Sequence, residues 1–128
     1  MDTTTFKYLP KSLRNLTPNA HWVCGVTYNS IIWHSTDITK PTFDEIVAEE
    51  ARIIQNLPMD TLREERNNLL EITDMYGLVD FQFSSDEKKQ EWFSYRQSLR
   101  DITSTASPQL DINGILTNVT FPTKPSGH

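Results

Sequence analysis

The sequence predicts an α+β protein: an N-terminal β-hairpin, then three helices of which the last two form an antiparallel helical hairpin, then an extended C-terminal tail. Three observations carry this prediction. Apolar side chains alternate along the chain between Ala20 and Ser35, as they do in a strand. From Phe43 to Ile102 they recur every three or four positions, as on one face of a helix. After Thr103 this period is lost.

The hairpin is predicted from two short apolar runs. Successive side chains of a strand point to opposite faces, so one face of the first run carries Trp22, Cys24, Val26 and Tyr28. The second run, Ile31–Trp33, follows Asn29-Ser30, a pair that suits a tight hairpin turn. Because a two-stranded hairpin is only marginally stable in water, we expect the face that carries Trp22 and Trp33 to be covered.

A first helix is predicted over residues 43–56. Thr42 and Glu45 have the spacing of a capping box, in which a hydroxyl and a carboxylate each accept a backbone N–H at the helix N-terminus. Pro58 would collide with the preceding turn of a continuing helix. We therefore expect the chain to turn near Leu57.

Two further helices follow. The second is predicted over residues 60–75, with Asp60 and Thr61 as its N-terminal cap. The third begins at a capping box of Ser84 and Glu87. The apolar stripes of these two helices predict that they pack as an antiparallel pair. The predicted contacts place Leu62, Leu69 and Ile72 against Trp92, Tyr95 and Leu99.

Composition argues against several classes of partner. The 128 residues carry 12 Lys and Arg against 17 Asp and Glu, a net charge of −5, whereas a nucleic-acid binder needs a concentrated cationic face. No apolar run approaches the roughly 18 residues of a membrane span and no signal-peptide pattern occurs, so we expect a soluble, unexported protein. Hydrophobic residues make up 37% of the chain, below the ~45–50% of typical domains. The predicted core is thin, and we expect a partner to complete it.

The sequence offers little for catalysis or metal binding. His21, His34 and His128 share no metal-ligand spacing. Cys24, the one cysteine, lies in an apolar run that favours a small buried hydrophobe over a nucleophile. No P-loop, nucleophile elbow or dinucleotide-binding motif occurs. We therefore predict a protein without catalytic residues, metal or cofactor.

Arg66 and Arg96 fall beside the apolar stripes of the last two helices. One interpretation is an interhelical salt bridge, in which the long stem covers apolar area and the guanidinium reaches an acceptor. The candidate acceptors are Asp74, Asp101 and nearby carbonyls. The other interpretation is a protein-binding face shared with Trp92 and Tyr95, because Trp, Tyr and Arg are enriched in binding hot spots.

The segment Phe121–Pro125 is typical of an extended, polyproline-like tail. It is either a frayed end, which is common, or a preformed extended segment that docks on a partner. In the second case, Phe121 and Pro122 contact that partner.

Three segments carry a resemblance to a known family. Arg66–Asp74 has the pattern R-x-x-L-L-x-x-T-D, Ser85–Thr103 contains W-x-x-Y-R-x-x-L-R-D-I-T, and Phe121–Pro125 corresponds to a Trp-Pro-x-x-Pro ending. Together they resemble the bacteriophage tail assembly chaperone domain family, and similar endings occur in phage tail-fibre assembly proteins. The chain departs from the family pattern at Met75 and at Phe121, where the family usually has Trp.

The resemblance implies a bacteriophage protein without enzymatic activity that acts in the host cytoplasm during tail assembly. The implied partner is a structural protein of the tail, tail fibre or baseplate. The resemblance does not imply binding to nucleic acid or to a membrane. We predict two domains, a strand-and-helix module at residues 1–57 and a chaperone-like helical hairpin with its extended tail at residues 58–128. The predicted partner-binding residues are Arg66, Trp92, Tyr95, Arg96, Phe121 and Pro122.

Two alternatives stay open. In the first, the protein is a permanent component of the virion tail, an adaptor present in several copies of a symmetric assembly. In the second, it is a small enzyme that acts on cell-wall polymer. The enzyme alternative requires paired carboxylates in a cleft, and no sequence feature nominates such a pair.

Overall fold

A computed structural model describes residues 3–128 of the chain and confirms the α+β class with an N-terminal hairpin. This part of the chain has three α-helices, α1 (Leu9–Leu16), α2 (Phe43–Ile72) and α3 (Asp86–Thr105). It also has two antiparallel two-stranded sheets, formed by β1 (Trp22–Val23) with β2 (Ile32–Trp33) and by β3 (Gln109–Leu110) with β4 (Leu116–Thr117). The chain divides into two compact units, Met1–Asn56 and Leu57–His128. That residues 1–57 and 58–128 act as separate domains stays a prediction.

Helix α1 precedes the N-terminal hairpin and was not predicted from the sequence. Pro10 lies in its first turn, where backbone N–H groups have no intrahelical acceptor, so the missing proline N–H costs no hydrogen bond. Leu9 and Leu13, one turn apart on the same face, are both fully buried. The helix spans only eight residues, so its apolar pattern was too short to separate it from the flanking loops.

The N-terminal hairpin pairs Trp22 with Trp33 and Val23 with Ile32. The predicted tight turn at Asn29-Ser30 is wrong, because the connection is longer and contains a 3₁₀ turn, Tyr28–Ser30.

The Ser30 hydroxyl holds this connection together. It accepts the Gly25 N–H at 2.8 Å and donates to the Thr27 carbonyl at 2.6 Å. A side-chain hydroxyl thus replaces the backbone pairing of a two-residue turn.

Both tryptophans of the hairpin pack on the core of the first unit, which confirms that they are covered. The buried residues of this core are Phe6, Leu9, Leu13, Ile31 and Ile46. Cys24 packs against the same cluster, and burial raises the pKa of its thiol, outweighing the opposite effect of the Arg14 charge. This agrees with the interpretation of Cys24 as a small hydrophobe.

The predicted capping box at the start of α2 is confirmed. The Thr42 N–H donates to Glu45 Oε1 at 3.0 Å, and the Glu45 N–H donates to Thr42 Oγ1 at 3.2 Å. The two residues therefore satisfy each other's backbone donors at the point where the helix leaves its own N–H groups unpaired.

The predicted break near Leu57 is wrong, because α2 continues through Pro58 to Ile72 as one helix. The proline ring removes one backbone hydrogen bond, that to the Ile54 carbonyl, at a cost of about 3 kcal/mol. Buried side chains on both sides, Ile53 and Leu62, each contribute roughly 1.5–3 kcal/mol and offset that cost. Tertiary burial therefore overrides the local proline signal.

Thr61, predicted as a cap of the second helix, lies in the interior of α2. Its hydroxyl donates to the Leu57 carbonyl at 2.8 Å, four residues earlier, as threonine does within a helix. The first two predicted helices are therefore one.

Replacing Pro58 by Ala is expected to raise the free energy of unfolding by about 2 kcal/mol. Alanine restores the N–H that the Ile54 carbonyl lacks, a gain of about 3 kcal/mol, while the more flexible unfolded chain takes back up to about 1 kcal/mol. Urea titration followed by circular dichroism measures the difference. Met59→Ala, at the neighbouring helical position, is the control, and a Pro58→Ala variant no more stable than the natural chain would contradict this account.

Helix α3 begins one residue later than its predicted capping box. Ser85, not Ser84, is the N-cap, and its hydroxyl accepts the Lys88 N–H at 3.1 Å. Between the helices, a 3₁₀ turn at Asp74–Gly77 follows the end of α2.

Residues 109–117, predicted without regular structure, form the β3–β4 hairpin. Its turn is organised by Asp111, whose Oδ1 accepts the N–H groups of Asn113 and Ile115 at 2.8 and 2.9 Å. Gly114 has a φ of 77°, which glycine adopts without a Cβ penalty. The Asn113-Gly114 pair was the available signal for this hairpin. Residues 119–128 follow without helix or strand.

Candidate functional site

The second unit holds all six predicted site residues and is built around the end of α2. A helix leaves its last four carbonyls without intrahelical donors. Side chains take two of them here: the Thr73 hydroxyl donates to the Leu69 carbonyl at 2.7 Å, and Arg96 Nη1 donates to the Leu70 carbonyl at 2.8 Å. The cation also lies at the negative end of the helix dipole, where positive charge is stabilised.

The predicted interhelical salt bridge of Arg96 is confirmed. Arg96 Nη2 donates to Asp74 Oδ1 at 3.0 Å, and Nη1 donates to the Thr73 hydroxyl at 2.8 Å. The arginine side chain is 7% exposed while that of Asp74 is 78% exposed. Solvent therefore screens the ion pair, and the bonds to Leu70 and Thr73 hold the guanidinium in place.

Trp92 lies at the centre of an aromatic cluster. Its ring is 2% exposed and stacks on Tyr76 with a centroid distance of 4.0 Å, while Tyr95 meets it edge to face at 5.9 Å. The buried core consists of Trp92, Tyr95 and Leu99, and Phe83 is among the half-buried residues that pack against it. Burial raises the pKa of the Tyr95 hydroxyl.

The seam between α2 and α3 differs from the prediction at one position. Ile72, predicted to pack against α3, is 61% exposed, whereas its neighbour Thr73 is 1% exposed. Thr73 can be buried because the Leu69 carbonyl and the Arg96 guanidinium satisfy its hydroxyl. Leu69 packs against the Trp92 cluster as predicted, and Leu62 is fully buried.

The C-terminal tail lies on its own unit, so it is not a frayed end. Trp92 Nε1 donates to the Gly127 carbonyl at 2.8 Å, and Lys88 Nζ donates to that of Ser126 at 2.6 Å. The Ser84 N–H donates to the main-chain oxygen of His128 at 2.7 Å. All three bonds end on main-chain oxygens, so Lys88 and Trp92 of α3 and the Ser84 amide, two residues before α3 begins, hold this end of the tail by its backbone.

The tail completes an apolar groove of about 520 Å³. Its lining residues are Glu65, Asn68, Leu69, Ile72, Tyr95, Phe121, Pro122 and Lys124. Phe121 is half-buried against the Trp92 cluster and forms one wall, while Ile72 of α2 is exposed on another side.

The structure brings some of the predicted site residues together and separates others. Tyr95, Phe121 and Pro122 line the groove. Trp92 and Arg96 are buried among their intramolecular partners. Arg66 is half-exposed on α2, where its Nε donates to Asn67 Oδ1 at 3.0 Å.

Sequence reasoning missed Ile72 and Lys124 as groove residues. Ile72 was assigned to the seam by its spacing, and only the burial of Thr73 shows that the stripe is offset by one position. Lys124 lies in a segment without a helical or strand period, so no sequence pattern placed it at the groove.

The chain gives few indications of other chemistry. Within residues 3–128, no group of three or more His, Cys, Asp or Glu side chains is placed to hold a metal ion. None of the helices in this part of the chain is long and apolar enough to cross a membrane. His128 lies instead against aromatic rings, with centroids 5.9 Å from Tyr76 and 5.7 Å from Phe81.

Comparison with protein families gives one match. The family described as phage tail assembly chaperone protein matches residues 59–126, which is more than half of the chain. The matched range contains α3, the Arg96 contacts and the Phe121 wall of the groove. Comparisons with curated proteins and with solved structures find no match. The family match and the resemblance of the same segments agree, and the chain belongs to the phage tail assembly chaperone family.

Proposed function

We propose that the protein is a non-catalytic assembly chaperone that binds a structural protein of the phage tail, tail fibre or baseplate. It does so in the host cytoplasm, before that partner is built into the particle. The family match over residues 59–126 supports this proposal. The apolar groove supplies a surface on which a partner can be held.

The groove between the end of α2 and the tail is the proposed docking surface. Ile72 is 61% exposed there, and the half-buried Leu69 and Phe121 line the same groove. Covering such side chains removes apolar area from water, which is the main source of affinity at the centre of an interface. Glu65 and Lys124 add charges of both signs at the groove, typical of a polar rim.

The six predicted residues take two roles in this proposal. Tyr95, Phe121 and Pro122 contact the partner, because they line the groove. Trp92 and Arg96 hold the tail and the end of α2 in position and so shape the groove without lining it. Arg66 stays a prediction as a contact at the margin of the groove, one residue after Glu65 on α2.

Ile72→Glu is expected to abolish most of the chaperone effect while leaving the fold intact. The side chain is already exposed, so the substitution costs little folding free energy. A carboxylate in a desolvated interface weakens binding by more than about tenfold. The chain is co-expressed with each tail-fibre and baseplate protein of its phage, and the soluble fraction of each is measured.

Ile54→Glu is the matched control, because Ile54 is 52% exposed on the same helix and lies in the first unit. We expect this variant to solubilise the partner as well as the natural chain does. Equal loss in both variants, or a partner that is equally soluble without the protein, would contradict the proposed function.

Mass spectrometry of purified particles distinguishes a chaperone from a permanent virion component. A protein that leaves its partner after assembly is expected to be absent from mature particles. A stoichiometric amount in the particle would replace the chaperone proposal with the adaptor alternative.

A further inference from the structure

A second cavity, of about 450 Å³, lies beside α3 and shares no lining residue with the groove. It is lined by Gly77, Phe93, Ser94, Arg96, Gln97 and Arg100. These residues include two guanidinium groups and no carboxylate. In a chain with a net charge of −5, this is a local concentration of positive charge.

The positive charge of Arg96 is only partly neutralised. Arginine can hold a carboxylate with two parallel bonds from the Nε and Nη2 edge of its guanidinium. Asp74 accepts a hydrogen bond from Nη2 and none from Nε. Solvent screens the charge of Asp74, because its side chain is 78% exposed. Nε has no hydrogen-bond partner within the described residues.

Gly77 leaves space next to this edge. A methyl group at Gly77 would lie 3.6 Å from Arg96 Nε and 3.8 Å from Nη2, its nearest contacts beyond the two neighbouring residues. The backbone φ of Gly77 is not positive, so an alanine can occupy the position without strain. The absence of a side chain therefore widens the cavity beside the buried guanidinium.

Arg100 carries the second charge. Its Nη1 donates to the neutral Gln97 Oε1 at 3.2 Å, and Arg100 makes no ion pair within the described residues. The Gln97 amide also donates to Asp101 Oδ1 at 3.0 Å. Phe93 is 38% exposed and gives the same cavity an apolar wall. Lys89 Nζ lies 5.6 Å from the Phe93 ring centroid and adds another positive charge near this wall.

We propose that this cavity binds an acidic segment of the tail protein that the chaperone holds. A carboxylate of that segment lies between Arg100 and Arg96, and an apolar neighbour of the carboxylate packs on Phe93. The inference rests on the proposed function for the identity of the partner. Charge complementarity selects the occupant, since two guanidinium groups without a lining carboxylate favour an anion.

The probe is an acetylated, amidated pentapeptide with four glutamates around one phenylalanine, and the same peptide with glutamines is its neutral counterpart. Binding to the full chain is followed by ¹H–¹⁵N NMR. We expect the acidic peptide to shift the backbone signals of Ser94, Gln97 and Arg100 and the Nε–Hε signal of Arg96. The affinity is expected to fall at 0.5 M NaCl, because salt screens exposed charges.

Two variants are expected to weaken binding of the acidic peptide, and one is not. Arg100→Gln removes a charge from the cavity and is expected to weaken it about tenfold. Gly77→Ala fills space beside Arg96 and is expected to weaken it about threefold. Arg63→Gln, which removes an exposed arginine of α2 that pairs with Asp60, should change the affinity less than twofold.

Equal binding of the acidic and neutral peptides, or equal weakening by Arg100→Gln and Arg63→Gln, would overturn the proposal. The peptide measurement contains no tail protein, whereas the Ile72→Glu experiment uses the groove and the intact partner. If the peptide does not bind but Ile72→Glu still abolishes the chaperone effect, only this inference is overturned. The reverse pattern would remove the proposed function and leave an acidic-peptide site.

Discussion

Trp92→Ala is expected to lower the free energy of unfolding by about 3–5 kcal/mol, the range for removing a fully buried large aromatic side chain. The ring is 2% exposed, stacks on Tyr76 and donates a hydrogen bond to the Gly127 carbonyl. Its loss leaves a cavity at the centre of the cluster and releases the tail. For a unit of this size, the melting temperature should fall by roughly 12 °C or more.

Phe93→Ala is the matched control, because Phe93 is the next residue of α3 and is 38% exposed. It is expected to cost about 1 kcal/mol. Trp92→Phe separates the two contributions of Trp92, since it keeps most of the ring and removes the Nε1 donor, at about 1 kcal/mol. Thermal unfolding followed by circular dichroism checks all three. Equal effects of Trp92→Ala and Phe93→Ala would contradict the burial of Trp92.

Arg96→Met is expected to lower the free energy of unfolding by roughly 2–4 kcal/mol. Methionine keeps the apolar stem, so the loss comes from the polar head. The Leu70 carbonyl and the Thr73 hydroxyl each lose a charged donor, at ~1–3 kcal/mol apiece. The end of α2 also loses the cation that opposes its dipole, at about 0.3–1 kcal/mol. Desolvation of the guanidinium, which methionine avoids, keeps the net effect below the sum.

Asp74→Asn tests whether the ion pair or the helix cap carries this stability. Asp74 is 78% exposed, so its pairing with Arg96 is screened and should contribute less than about 1 kcal/mol. Urea titration of both variants gives the comparison. A loss in Asp74→Asn as large as that in Arg96→Met would assign the stability to the ion pair instead.

The sequence predicts best those features that depend on neighbouring residues. The Thr42 and Glu45 capping box needs only a spacing of three residues, and both of its hydrogen bonds form. Trp92 and Arg96 were placed at the helical seam by their spacing along α3, and both are buried there.

Features that depend on residues distant in sequence could not be predicted in the same way. The predicted helix break at Pro58 is wrong, because burial of Ile53 and Leu62 outweighs the hydrogen bond that the proline ring removes. The docking of the tail depends on Trp92 and Lys88, more than thirty residues before the carbonyls they bind. The composition of the tail does not predict those bonds.

The candidate site shows the same division. Tyr95 was selected by residue type, Phe121 and Pro122 by their place in the extended tail, and all three line one groove. Arg66 was selected by residue type, like Tyr95, and has a local partner, Asn67. The position of Ile72 depended on which of two adjacent residues the seam buries, and spacing alone does not decide that when the second residue is a threonine with a satisfied hydroxyl.

The way the tail is fastened sets which of its positions are free to diverge. Since Lys88, Trp92 and the Ser84 amide bind main-chain oxygens, mutations of Thr123 and Ser126, whose side chains are exposed, should accumulate with little consequence. Gly127 is constrained for a different reason, because its φ of 70° penalises any residue with a Cβ. Related phages can therefore vary the surface that the tail presents to a new partner, while α3, which anchors the tail, stays unchanged.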